Sequence, residues 1–203
     1  MKIMGILGSS RQGGNTEIML DTALGEAKKN GVATDKISLS GQTIAPCDGC
    51  QVCADTGKCI IEDDAQEILD KMTASDGIIW ATPVYFWSMT GQIKTLMDRT
   101  YALLNPKLQL ANKVGGLITV AGARGCMNVA NVFHQYFSYN HMFIAESATG
   151  YAREKGEIRQ NAPSLNMAKE MARQMIALIN AENRFPDEFD VPLLRFVKNK
   201  YSS

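Results

Sequence analysis

Short apolar runs and amphipathic stretches alternate along the chain. Residues 2–7 form an apolar run ending in Gly8, and residues 15–30 follow with apolar positions at helical spacing and Gly31 as C-cap. Residues 34–39 alternate apolar and polar side chains, as a strand does. After a cysteine-bearing loop, Asp64 stands as the N-cap of a helix through Ala74. The run GIIWAT at 77–82 has the composition of a strand buried on both faces. A helix at 88–104, a strand at 114–120, a helix at 128–140, a strand at 142–147 and a helix at 164–180 complete the series.

Five strands joined by helical crossovers predict an α/β fold, a doubly wound parallel sheet with helices on both faces. Residues 1–183 read as one domain, with no repeat or flexible linker to divide it, and residues 46–62 as a cysteine loop within it. Residues 184–203 depart from the pattern as a tail of acidic and aromatic residues around two prolines. Its Phe185, Phe189, Leu193, Leu194 and Phe196 carry more apolar surface than a monomer usually leaves uncovered, so the tail is expected at a subunit interface.

Composition narrows the function. Twenty-one basic residues balance twenty-one acidic ones, without the cationic surplus that a duplex-binding protein uses along the phosphates. Nucleic acid is therefore not an expected partner. The N-terminal apolar run is too short for a secretory core and no run of about 20 apolar residues could span a bilayer, so a cytoplasmic protein with no membrane partner is expected. Thiols stay reduced in that compartment, and an odd total of five cysteines also argues against a disulfide framework.

The loop after the first strand reads GSSRQGGNT, residues 8–16. Ser9, Ser10, Asn15 and Thr16 offer polar side chains, Arg11 a charge, and glycines including Gly14 let the backbone approach an anion at a helix N-terminus. That combination describes a phosphate site, although neither the Walker lysine nor G-x-G-x-x-G is present. The segment resembles the phosphate loop of flavodoxin-like proteins in the NADPH-dependent FMN reductase family. Residues 82–99, TPVYFWSMTGQIKTLMDR, resemble that family's second flavin loop and its following helix. The resemblance implies a flavodoxin-like strand order 2-1-3-4-5 and FMN as cofactor. It implies ring contacts from Pro83, Val84, Tyr85, Phe86, Trp87 and Ser88, and a third flavin loop, AGARGC, at 121–126 that includes Gly122. Trp80, inside its strand, reads as core.

Cys47, Cys50, Cys53 and Cys59 have the spacing C-x2-C-x2-C-x5-C. Three thiols two residues apart, with a fourth closing the set, can hold one [4Fe–4S] cluster. Zinc sites more often pair two C-x2-C knuckles across a longer gap. A redox-active pair such as Cys47–Cys50 also stays open, and Cys126 stands apart from the set. The compact spacing followed by IIEDD resembles the iron–sulfur flavoproteins, a branch of the same family. The resemblance implies an FMN-dependent oxidoreductase with NAD(P)H as a candidate donor and a ferredoxin or small molecule as electron partner. It also implies a homodimer or homotetramer in which the cluster of one subunit lies near the flavin of another. A cluster-free NAD(P)H-dependent FMN or quinone reductase and a non-enzymatic redox sensor are the alternatives. No catalytic side chain is identifiable from sequence.

Overall fold

The computed structural model describes residues 1–192, and Leu193, Leu194 and Phe196 of the expected tail interface lie outside them. The strands β1 (Lys2–Leu7), β2 (Ala33–Ser38), β3 (Gly77–Pro83), β4 (Val114–Ala121) and β5 (Phe143–Ile144) pair in the order β2-β1-β3-β4-β5, all in parallel. The doubly wound architecture read from sequence and the strand order implied by the resemblance are therefore both present. Alternate residues of β1 explain why its run is apolar throughout. Ile3 and Leu7 pack with α1 (Asn15–Lys29) and α6 (Ala162–Asn180), whereas Met4 and Ile6 pack with α3 (Ala65–Thr73), α4 (Gly91–Arg99) and α5 (Cys126–Tyr139). Trp80 is fully buried among Phe133 and Tyr136 of α5, as core.

The last strand departs from expectation. Residues 142–147 are not one strand: β5 covers two residues, and β6 (Ala148–Tyr151) then resumes the pairing with β4. Gly115 faces Ile144 while Ile118 faces Ala148, so four steps on this edge span three on β4. One extra residue makes a bulge, and the Glu146 N–H leaves the ladder to donate to the Gln174 side chain on α6, 3.0 Å away. The helices also differ from prediction, and α6 begins at Ala162 rather than 164. A short α2 (Val52–Thr56) lies inside the cysteine loop, α5 begins at Cys126 rather than 128, and α4 begins at Gly91 rather than 88.

The late start of α4 reflects two local constraints. Residues 85–88 close a tight hairpin, with hydrogen bonds between the Tyr85 and Ser88 backbones of 2.9 and 3.1 Å. Thr90 then caps the helix by accepting from the Ile93 N–H, and its hydroxyl donates to the Gly8 carbonyl at 2.9 Å. Its own N–H donates to the Thr82 hydroxyl. Gly8 must lack a side chain, because a Cβ there would strike Ile93 and lie 2.9 Å from the Thr90 hydroxyl. Thr90 thus joins the ends of β1, β3 and α4 at one buried point. Thr90→Val keeps the volume but strands the Gly8 carbonyl, and is expected to reduce stability by about 1–3 kcal/mol in urea unfolding. An unchanged midpoint would show the bond to be dispensable.

Candidate functional site

Beyond the carboxyl ends of β1, β3 and β4, three loops enclose a cavity of about 250 Å3. It lies where the chain leaves β1 towards β2 on one side and β3 on the other, the crevice in which open α/β sheets bind ligands. Ser9, Arg11, Asn15 and Thr16 line it from the first loop, Pro83, Val84 and Tyr85 from the second, and Gly122 from the third. Ser10, Gly14, Phe86, Trp87 and Ser88 do not form its wall. Gly14 instead caps α1 and donates its N–H to the Arg11 carbonyl, which shapes the turn. Phe86 and Trp87 occupy the two central positions of the hairpin at φ 47° and 71°, a conformation usually left to Gly or Asn. That strained turn holds Phe86 wholly in solvent, at 100% exposure, and sets Trp87 against Gly125 of the third loop.

Two residues have roles that motif reading did not anticipate. Asn15 spends its amide on the loop after β6: Nδ2 donates to the Glu154 carbonyl at 2.8 Å, and Oδ1 accepts the Ile158 N–H at 3.2 Å. It therefore ties two walls of the cavity together instead of facing it with a free amide. The loop it holds brings in Arg153, whose Nε donates to the Gly122 carbonyl at 3.2 Å. Arg153 and Arg11 both line the cavity, and the carboxylates nearby are already engaged. Glu17 accepts the Gly13 N–H and pairs with Lys36, which holds its carboxyl below the usual range, and Glu157 accepts the N–H groups of Arg153 and Glu154. With Arg11 and Arg153 in its wall and Pro83 and Val84 beside them, the cavity is suited to an anion that also has an apolar part.

The cysteine loop forms a second feature on the α4 side of the sheet. Cys47, Cys50, Cys53 and Cys59 all line one small cleft of about 40 Å3, together with Arg99 and Tyr101. Cys47 and Cys50 are exposed, Cys59 is half-buried, and Cys53 is buried on α2. Burial pushes the Cys53 thiol up, and its neighbours Cys59, Cys50 and Cys47 push the same way. Among the described residues, however, no three His, Cys, Asp or Glu side chains are drawn to a common metal-binding point. Cys126 lies elsewhere, buried at the start of α5 beside Tyr151. Gly57 ends α2 at φ 70°, where a Cβ would lie 2.8 Å from the Asn105 carbonyl, so glycine is required for the turn back to Cys59.

What closes the loop is a buried ion pair. Arg99, at the end of α4, is 1% exposed and grips Asp63 with two bonds of 2.6 and 3.0 Å. The same guanidinium donates to the carbonyls of Ala45 and Ile61, one before the first cysteine and one after the last. Asp63 also accepts the N–H groups of Ala45 and Ala65, and Asp64 exchanges bonds with Thr43. Asp64 thus occupies the N-cap position of α3 without a side-chain cap bond, and Asp63 supplies the bond to Ala65.

Comparison with known proteins agrees with this fold. The model of the NADPH-dependent FMN reductase family matches residues 1–156. An iron–sulfur flavoprotein of Methanocaldococcus jannaschii is 35% identical over 88% of this chain and 97% of its own length. An iron–sulfur flavoprotein of Archaeoglobus fulgidus is 32% identical over 98% of this chain and 92% of its own. The crystal structure of a WrbA-like flavodoxin from Agrobacterium tumefaciens superposes with a TM-score of 0.65 at 13% identity, over 90% of this chain and 99% of that one. No helix among the described residues is long and apolar enough to cross a membrane.

Asp63→Asn leaves a buried guanidinium without its counter-charge. The expected loss is about 3–5 kcal/mol in chemical unfolding. A loss below about 1 kcal/mol would mean that water reaches Arg99.

Proposed function

This chain belongs to the NADPH-dependent FMN reductase family and, within it, to the iron–sulfur flavoproteins, and from that premise we propose a two-centre electron-transfer oxidoreductase. FMN occupies the cavity at the ends of β1, β3 and β4, and a [4Fe–4S] cluster is held by Cys47, Cys50, Cys53 and Cys59. The observation that carries the proposal is a gathering of four thiols and a buried cation on the same chain as a second, cationic cavity.

The residues fit each group. Ser9, Thr16, Arg11 and the free N–H groups at the start of α1 would hold the phosphate, with Arg153 adding a second charge from the far side. Pro83, Val84 and Tyr85 would border the ring, with the hairpin at 85–88 fixing their approach. For the cluster, the donor set is four thiols on one cleft, and Arg99 there carries a buried Nε–H with no acceptor. Such a donor favours an anionic occupant. FMN supplies two-electron acceptance with single-electron release, and a cluster supplies one-electron exchange. The protein's own contribution is to orient the flavin, keep the thiols together and set the charge around both.

NAD(P)H is the proposed donor, and a ferredoxin or small molecule the proposed partner. The proposed assembly is a homodimer or homotetramer, with the tail at its interface. The described part of the tail also touches its own domain, where Phe185 stacks on His141 and Phe143. A cluster-free NAD(P)H-dependent reductase is the second reading, favoured by the thiols not being drawn to a common ligating point.

Iron, acid-labile sulfide and FMN measured on anaerobically prepared protein separate the two readings, with all three expected. Alanine at Cys47, Cys50, Cys53 or Cys59 should abolish iron retention while leaving FMN, and Cys126→Ala should retain both. Zinc uptake without iron or sulfide would leave the cluster-free reductase. Within the flavin cavity, Arg11→Ala should weaken FMN by about 1.5–3 kcal/mol and riboflavin little, since only FMN carries the phosphate. Asn15→Ala should weaken both ligands, because it frees a wall of the cavity. Equal losses for both ligands in Arg11→Ala would place the phosphate elsewhere.

A further inference from the structure

A guanidinium has five N–H donors, and four of those on Arg99 have acceptors. Nη1 donates to Ala45 and Asp63, and Nη2 to Ile61 and Asp63. The fifth, Nε–H, is buried and meets no acceptor. Buried donors are seldom left so, because their desolvation goes uncompensated. The four engaged donors also fix the plane of the group, so Nε cannot turn away without breaking the fork on Asp63.

Arg99 forms part of the wall of the cysteine cleft, and Cys59 is the sulfur beside its guanidinium. The two carboxylates in the same wall are occupied: Asp98 pairs with Lys94, and Asp48 accepts the Cys50 N–H. Gln51 and Tyr101 also line the cleft, but the four sulfurs are the acceptors that would take on charge with a bound group. Sulfur accepts weakly as a thiol and more strongly when it carries charge.

We propose that Arg99 Nε–H donates to a sulfur of the group held by Cys47, Cys50, Cys53 and Cys59, and that Arg99 is a positioning residue that raises the group's reduction potential. This rests on the cluster reading above. Reduction adds one electron and no proton, leaving a thiolate-ligated cluster more negative. A hydrogen bond from a cation then stabilises the reduced form more than the oxidised one, and the potential rises. Removing the donor lowers it.

The test begins with iron and sulfide analysis of anaerobically reconstituted wild-type protein. Absence of both removes the cluster reading and this proposal with it. With a cluster present, dithionite titration compares wild type with Arg99→Lys, which keeps the charge and loses Nε–H, and with Asp64→Asn, which loosens the loop base at Thr43 without touching Arg99. The expected result for Arg99→Lys is about a tenfold fall in the reduced-to-oxidised ratio at fixed potential, equal to about 59 mV for one electron. Asp64→Asn should match wild type. Equal potentials in all three proteins, or equal shifts in both variants, would overturn the proposal and reduce Arg99 to a clasp. A second measurement holds even where Arg99→Lys does not retain its cluster. Reduced wild-type protein grown on arginine labelled with 15N at Nε should show a 15N coupling to the cluster in pulsed EPR, and its absence would also overturn the proposal.

Discussion

The buried pair of Arg99 and Asp63 is the constraint on which the arrangement of the cysteine loop depends. A guanidinium that is 1% exposed cannot be left without acceptors, because desolvating an unpaired charge costs more than a domain can spare. Arg99 therefore dictates where four oxygens must be: two on Asp63 and one each on Ala45 and Ile61. Those oxygens flank the cysteines on either side. Satisfying one side chain closes a loop of some fifteen residues that has little apolar core of its own.

The cavity proposed for FMN is organised differently. Its walls are held by neutral hydrogen bonds between loops far apart in sequence, such as Asn15 to residues 154 and 158 and Thr90 to Gly8. The charges near it on Glu17 and Glu157 are occupied with N–H groups and Lys36, which leaves Arg11 and Arg153 as the cations lining the cavity. Neutral clasps around a cationic space make a site for an anion whose apolar part can lie against Pro83 and Val84. Ionic closure of the cysteine loop instead sets a fixed positive charge beside four thiols.

The strength of each sequence signal follows from its physics. β1, β3 and β4 were legible because burial on both faces demands unbroken apolar runs, and the glycine-rich loop because its role is local to the chain. β6 was not, since its residues ATGY include a glycine, and the bulge before it breaks the period. Arg153 carries no motif and reaches the cavity only because Asn15, some 140 positions away, holds its loop. Asn15 does line the cavity, but its partners in the loop after β6 could not be read from a glycine-rich pattern. Arg99 did leave a trace. It lies three residues beyond Leu96, next to the apolar stripe of α4, and a charge in that position calls for a buried partner.

The helix α4 connects the two regions. Its first turn is capped by Thr90, which also bonds to Gly8 and Thr82 near the cavity at the ends of β1, β3 and β4, and its last residue is Arg99 in the wall of the cysteine cleft. Nine helical residues span about 13 Å, and a helix of that length tilts as a rigid rod. Ile93 and Leu96, both fully buried, lock that rod onto the sheet. A displacement of α4 that would relax the loop at Arg99 must therefore also pull at Gly8, where there is no room for even a Cβ. The separation between the two regions on one chain is thus set by α4, whose N-cap residue bonds to Gly8 and whose last residue holds the cysteine loop through Ala45 and Ile61.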